Sequence, residues 1–485
     1  MHRSHHPIIK ARKQVVLTLA LALILVTSTC SPPEPAGNPV NVLLISFDTL
    51  RPDHLSCYGY TRQTSPNLDA IAQRGVLFEN FYSSTSWTLP AHMAMFTGLP
   101  DSVHGVYDND VPALDPNRKT LAQQFKAAGY TTAGFVTGPY LHPAFGFDRG
   151  FDEYFNCMAY MEAQDFRDRR FRRFSNNTHA ESHRAATNPT LFSAATNWLQ
   201  QKRTEPFFLF MHVWDVHYDF TPPPPFDRKF DPDYNGPITG MNFASSPDIH
   251  PAMAKRDLDH LIALYDGEIA YTDEFVGKLM SQMDRLGLTE NTLIVITADH
   301  GEEFFEHGRK GHQWTLFEEV LRIPLIISWP GHLPQGKRVT EQGRIIDLVA
   351  TLTELCSLPP NTETIGTSLV AAIEGTGGRD LPVYSELDVA DHPVSLRAIR
   401  TPEYKLIWDN RSQRFQLFDM QLDPQETNPL PAESIHAARA LASLQDWMGR
   451  MKELAATLPR HSGRAPVDLD DQTLRRLKGL GYISD

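Results

Sequence analysis

Apolar residues run along this chain in two rhythms that alternate. Short unbroken runs, VLLISF (42–47), TTAGFV (131–136), PFFLFMHVW (206–214), LIVITA (293–298) and LRIPLIIS (321–328), are rich in β-branched and aromatic side chains. Runs without polar alternation predict strands covered on both faces, as in a parallel sheet. Between them lie amphipathic stretches. SPNLDAIAQRG has Ser65-Pro66 as a helix start and Gly75 as its stop, and helices are also expected at 120–129, 187–204 and 258–287. Strand and helix in alternation predict an α/β protein whose large doubly wound sheet occupies residues 39–375. Past residue 380 the rhythm changes. YKLIW (404–408) and FQLFD (415–419) read as paired short strands and 430–485 as helix, a small C-terminal α+β subdomain at 380–485.

Two of the runs end in carboxylates: Asp48 follows VLLISF, and Asp299-His300 follows LIVITA. In open α/β sheets, ligands lie beyond the carboxyl ends of the strands. Two carboxylates and an imidazole at one sheet edge predict a cation site. Thr88, within STSWTLPAHMAMFTG (84–98), offers a hydroxyl that such a cation could deprotonate. Pro90 suits a first helical position, which places Thr88 near a helix N-terminus where amides and dipole favour an oxyanion. The alternative for Thr88 is a simple helix cap.

Together these segments resemble the sulfatase-like branch of the alkaline phosphatase superfamily, over nearly the whole chain after residue 39. The resemblance implies an alkaline phosphatase-like fold, a large mixed and mainly parallel sheet between helices. Sulfatases carry C-x-P-x-R at the nucleophile, and its cysteine is oxidised to formylglycine. This chain has Thr88-Leu89-Pro90-Ala91-His92 in that register. Threonine cannot become formylglycine, and relatives with Thr or Ser there attack phosphorus directly. By the same resemblance, Asp48, Thr88, Asp299 and His300 are the metal ligands. Calcium-dependent sulfatases have a second Asp where this chain has Thr49, and often Asn where it has His300. Losing a carboxylate and gaining an imidazole favours Zn²⁺ or Mn²⁺ over Ca²⁺.

The resemblance also implies that His217 faces the ester as oxyanion donor or general acid, while His212, mid-strand, reads as a core histidine. Lys310 or His312 would contact the leaving-group oxygen, and Asn109 the ester. His104-Gly105 reads as structural. One divalent cation is expected. The alternative adds a second, held by Asp215, His217 and His312, although their spacing departs from the D-x-x-x-H pattern of two-metal relatives.

The first residues stand apart. Arg3, Lys10, Arg12 and Lys13 precede an apolar run at 15–26, too short to span a bilayer comfortably and matching a signal-peptide core. Cys30 and the Pro-rich SPPEPAG after it predict a signal peptide (1–29), a tether (30–38) and a bacterial lipoprotein acylated at Cys30 and held at the membrane. Val26-Thr27-Ser28-Thr29 is a poor lipobox, so an ordinary signal peptide and an uncleaved anchor are the alternatives. All three place the catalytic part outside the cytoplasm. A formal net charge of −13 argues against a nucleic-acid partner. The basic run FRDRRFRRF (166–174) reads as a solvated helix face or insertion before it reads as an anion site. Cys57, Cys157 and Cys356 suggest neither a disulfide framework nor a zinc spacing.

The sequence thus predicts an extracytoplasmic metal-dependent hydrolase that acts on phosphodiesters or phosphomonoesters through Thr88. Sulfuric-ester hydrolysis and phosphotransfer are the enzymatic alternatives. A pseudoenzyme that binds anionic glycans or lipids is the non-enzymatic one.

Overall fold

In a computed structural model, described for residues 40–107, 113–157, 187–202, 205–377, 380–389 and 394–459, the run VLLISF becomes β1 (Asn41–Phe47). The signal peptide and tether with Cys30, the candidate Asn109, the basic run 166–174 and the tail after 459 lie outside the described residues. β1 is central in a nine-stranded sheet. Across it the order is β10 (Lys337–Val339), β2 (Val76–Tyr82), β9 (Arg322–Ser328), β6 (Thr292–Ala298), β1, β5 (Phe207–Val213), β3 (Thr131–Val136) and β4 (Glu153–Asn156), with β11 (Gly343–Arg344) beside β2. β1 runs parallel to both β5 and β6, and β3 parallel to β5 and β4. β9 runs antiparallel to both its neighbours. The sheet is therefore mixed and mainly parallel, as expected.

Every residue of β1, β5 and β6 is buried, which accounts for their unbroken apolar runs. The register sets the site. Phe47 pairs with Val213 on one side and Ala298 on the other, so the three strands end level. The next peptide continues the ladder, with Asp48 N donating to Val213 O (2.9 Å) and Asp299 N to Phe47 O (3.2 Å). Because side chains alternate with a period of two, Ser46 and Asp48 on β1, His212 on β5 and Asp299 after β6 share one face.

The helix Thr88–Thr97 covers that face. It is buried at every position, as an apolar helix inside a core should be. It ends at Gly98, whose φ of 67° is left-handed and where a Cβ would come within 1.9 Å of Thr364 Oγ1. The helix expected at 258–287 is observed as Lys255–Arg285, and that expected at 120–129 as Leu121–Ala127 with a capping box at Thr120. β2 and β4 were not anticipated. Half-buried Glu79 and Asn80 interrupt β2, and β4 has four residues only.

The expected pair of C-terminal strands, β14 (Tyr404–Asp409) and β15 (Arg414–Asp419), continues into β13 (Val394–Arg400) and β12 (Val383–Val389) as a four-stranded antiparallel sheet. The helix Ile435–Thr457 packs on it through Leu444, Trp447 and Met451, with Trp447 stacked on Tyr384 at 4.5 Å. Edge strand β12 also holds the segment before Thr88: Glu386 N donates to Ser84 O (2.8 Å) and Ser385 Oγ to Ser83 O (3.1 Å).

Candidate active site

The sheet edge gathers Asp48, Asp299, His300 and Thr88, each at most 1% exposed. Thr88 Oγ1 lies 3.4 Å from Asp48 Oδ2 and 3.4 Å from His300 Nε2. His300 Nε2 is 3.7 Å from Asp48 Oδ1 and 3.5 Å from Asp299 Oδ2. Asp299 Oδ1 accepts from Thr49 N (3.3 Å) and His300 N (2.8 Å). The His300 ring meets Gly301 O through Nδ1 at 2.9 Å; a carbonyl accepts, so Nδ1 carries the proton and Nε2 turns a lone pair inward.

That arrangement is frustrated as it stands. Asp48 Oδ1 and Asp299 Oδ2 are buried and have no hydrogen-bond partner among the described residues. Burial, and then the charge of Glu302, push the Asp48 carboxyl well above its usual range; burial, and then Asp48, do the same to Asp299. Burial, with His312 beside it, holds His300 well below its usual value. A cation relieves all three at once. The separations fit one: four donors around a tetrahedral ion with bonds of about 2.0–2.2 Å stand roughly 3.3–3.6 Å apart. Asp48, Asp299 and His300 also each offer a ligand atom within 4.8 Å of the others.

Thr88 is the first residue of its helix, two positions before Pro90, and Trp87 is the N-cap with an extended backbone. Trp87 makes no side-chain cap bond, and the Thr88 hydroxyl faces Asp48 and His300, so the capping alternative does not hold. One turn on stands His92, fully buried in the same helix. Its Nδ1 donates to Thr88 O (2.9 Å) and its Nε2 meets Ser46 Oγ (3.0 Å), which ties the first turn of the Thr88 helix to β1.

A short hairpin supplies the next layer. β7 (Glu303–Phe304) pairs with β8 (Lys310–Gly311), Glu303 opposite Gly311, which brings Glu302 opposite His312. Glu302 Oε1 lies 3.0 Å from His312 Nδ1, and Gln313 N donates to Ser86 O (3.1 Å), docking the hairpin on the loop before Thr88. The His312 ring sits 4.6 Å from that of His300 and 5.1 Å from that of His217. His217 donates from Nδ1 to Tyr218 O (2.7 Å) and stacks on Trp214 at 4.0 Å. Burial lowers His312 to about 3, so its imidazole is neutral. Beyond it opens a cavity of about 530 Å³ walled by Tyr218, Phe243, Trp314, Arg309 and Lys310. Lys310 Nζ donates to Ile249 O (2.7 Å) and Ser246 O (3.3 Å), so the ammonium holds a wall of the cavity.

Two expectations need correction. Asp215 accepts from Thr187 N (2.7 Å), Asn188 N (2.9 Å) and the Thr187 hydroxyl, fixing the start of the helix Asn188–Lys202; its carboxylate is spent there and not beside His217 and His312. His212 is no ordinary core histidine, since its Nε2 stands 3.5 Å from Asp48 Oδ2. Glu302 escaped notice in the sequence because the hairpin register that pairs it with His312 is not visible there.

The hairpin turn carries a pH-sensitive brace. His307 Nδ1 is 2.5 Å from Glu319 Oε1, and Phe317 stacks on the ring at 3.6 Å. Burial opposes the charge on His307, but the Glu319 hydrogen bond and charge outweigh it and raise the imidazole to about 9. The folded value lies above the unfolded one of about 6.5. The pair's contribution is therefore complete below that value and fades as pH climbs to about 9. His307→Gln is expected to lower Tm at pH 6 and to converge on the parent above pH ~9.5. Melting curves across that range check it; a constant gap would assign the effect to packing.

Residues 40–358 of the chain match the sulfatase family, and residues 306–453 match the family described as N-sulphoglucosamine sulphohydrolase, C-terminal. The chain is 26% identical over 430 residues to an N-acetylgalactosamine-6-sulfatase of Canis lupus familiaris, covering 79% of this chain and 74% of that protein. It is 22% identical over 506 residues to an N-acetylglucosamine-6-O-sulfatase of Bacteroides thetaiotaomicron, covering 88% and 89%. Its fold is similar to that of a phosphonate monoester hydrolase from Silicibacter pomeroyi, with a TM-score of 0.70, 21% identity and coverage of 87% and 96%. The chain belongs to the sulfatase family, a family of metal-dependent ester hydrolases.

Proposed function

We propose that this protein hydrolyses phosphate esters, diesters or monoesters, with Thr88 as the nucleophile. One observation carries the reading: the buried Thr88 hydroxyl caps nothing and stands 3.4 Å from both Asp48 Oδ2 and His300 Nε2. A divalent cation held by Asp48, Asp299, His300 and the Thr88 oxygen would supply Lewis-acid stabilisation and lower the pKa of the hydroxyl. Zn²⁺ or Mn²⁺ suits the imidazole better than Ca²⁺.

The residues then divide the work. Thr88 Oγ1 passes its proton along the bond to Asp48 Oδ2 and attacks phosphorus as the ester P–O bond breaks. The first amides of the helix Thr88–Thr97 favour the charge that develops there. His217, its ring held by Tyr218 O, acts on the departing oxygen as oxyanion donor or general acid. His312, neutral and held by Glu302 at 3.0 Å, contacts the leaving-group oxygen; water then attacks the phospho-threonine and returns a proton to His217, while the Thr88 oxygen takes back the proton held on Asp48. The aromatic and basic cavity receives the organic part of an anionic ester. Lys310 acts by shaping that cavity, and Asn109 contacts the ester in the same reading.

A second reading, hydrolysis of sulfuric esters by Thr88 without formylglycine, is favoured by the sulfatases among the relatives. Among the described residues no helix is long and apolar enough to cross a membrane. We assign attachment to the bacterial envelope to acylated Cys30. Turnover of an aryl phosphodiester, an aryl phosphomonoester and an aryl sulfate, side by side with Zn²⁺, Mn²⁺ and Ca²⁺, tests the assignment. Faster phosphoester cleavage is expected. Faster sulfate cleavage would give the second reading, and metal-loaded protein that cleaves none would point to a binding protein.

A further inference from the structure

His212 is the penultimate residue of β5, and its side chain is fully buried. Its Nδ1 meets Thr137 O at 2.5 Å, and the Thr137 hydroxyl donates back to His212 O at 2.8 Å. A carbonyl can only accept, so this clasp puts the imidazole proton on Nδ1 and leaves Nε2 with a lone pair. That nitrogen has no hydrogen-bond partner among the described residues, and it stands 3.5 Å from Asp48 Oδ2. A lone pair facing a carboxylate oxygen in a dry interior is repulsive unless a positive centre lies between them.

His92, His212 and Asp299 form a second group whose ligand atoms lie within 4.8 Å of one another. His92 is already committed, because Nδ1 donates to Thr88 O and Nε2 meets Ser46 Oγ. His212 is held edge-on against the His92 ring, with centroids 4.8 Å apart, and cannot swing away from the cluster. Of this group, His212 is the imidazole with a lone pair to give.

We propose that His212 Nε2 is a further, fifth donor to the cation of this centre, which then combines two carboxylates and the Thr88 oxygen with two imidazoles, His212 and His300, in a five-coordinate set that Zn²⁺ accepts. The inference rests on reading the centre as a cation site. It also sharpens metal preference, because a second neutral nitrogen in place of a hard oxygen favours Zn²⁺ or Mn²⁺ and penalises Ca²⁺.

X-ray absorption of the Zn²⁺-loaded protein counts imidazoles directly, without reference to activity. Two are expected in the parent and one in His212→Asn, with Zn²⁺ affinity in a chelator competition falling at least about 10-fold and Ca²⁺ affinity by much less. One imidazole in the parent overturns the inference while leaving the cation site standing, and this count holds even if the variant does not fold. Unchanged Zn²⁺ affinity in a folded His212→Asn overturns it equally. A parent that binds no Zn²⁺, Mn²⁺ or Ca²⁺ removes the cation site and the inference together.

Discussion

Thr88→Ala is expected to lower kcat for ester cleavage by about 10³-fold or more, while metal content and fold persist. The size of the loss follows from the hydroxyl's isolation. It is the oxygen between Asp48 and His300, and a water replacing it has no helix behind it to fix its angle of attack. The structural cost is small, because the hydroxyl's two contacts are long, at 3.4 Å, and one γ-methyl leaves the core, on the order of 1 kcal/mol. Thr88→Ser keeps the oxygen and is expected to retain most of the rate. Mass analysis of the peptide holding Thr88, after acid quench during turnover, should show a phosphoryl adduct in the parent and none in Thr88→Ala. Full activity in Thr88→Ala, with the adduct absent from both, would move the nucleophile to water and reduce Thr88 to a lining residue.

Much of this centre was legible in the sequence because it sits where regular structure ends. Asp48, Asp299 and His300 each follow an unbroken apolar run, and such runs can only be buried strands whose carboxyl ends meet ligands. The central strands and the long helix were readable for the same reason: their periods are long and uninterrupted. β2 was not, since Glu79 and Asn80 break its run, and neither was β4, which is too short to show a period.

The unread part of the site depends on pairing. His212 looked like packing because strand β5 is apolar throughout. Its role emerges only when parallel register sets it beside Ser46, on the face that carries Asp48. Glu302 depends on a hairpin of two-residue strands, too small to leave a pattern. Asp215 misled for the converse reason. Its neighbours in sequence include His217, but in space its carboxylate belongs to a helix start at Thr187 and Asn188.

Asp299→Asn separates the carboxylate's charge from its shape, and the two are expected to pull stability in opposite directions. The amide can keep accepting from Thr49 N and His300 N through its oxygen, the role Oδ1 plays now. What it removes is the charge on Oδ2, buried and unpartnered among the described residues, 3.5 Å from His300 Nε2. Metal affinity is therefore expected to fall by about 100-fold or more. Metal-free protein should instead become more stable, since an uncompensated buried charge has gone. The pH dependence fixes the sign. Burial, and then Asp48, raise the folded pKa of Asp299 above the unfolded value, so without metal its cost is absent in acid and grows as pH climbs past about 4. The metal-free parent should lose Tm from pH 5 to pH 8, and Asp299→Asn should lose less. Metal at 100 times its Kd adds about 2.7 kcal/mol to the parent, which restores its Tm, and should add little to Asp299→Asn. Calorimetry with and without Zn²⁺ at pH 5 and pH 8 reads all four states. An Asp299→Asn protein whose Tm still rises with metal as the parent's does would show that this carboxylate holds no cation.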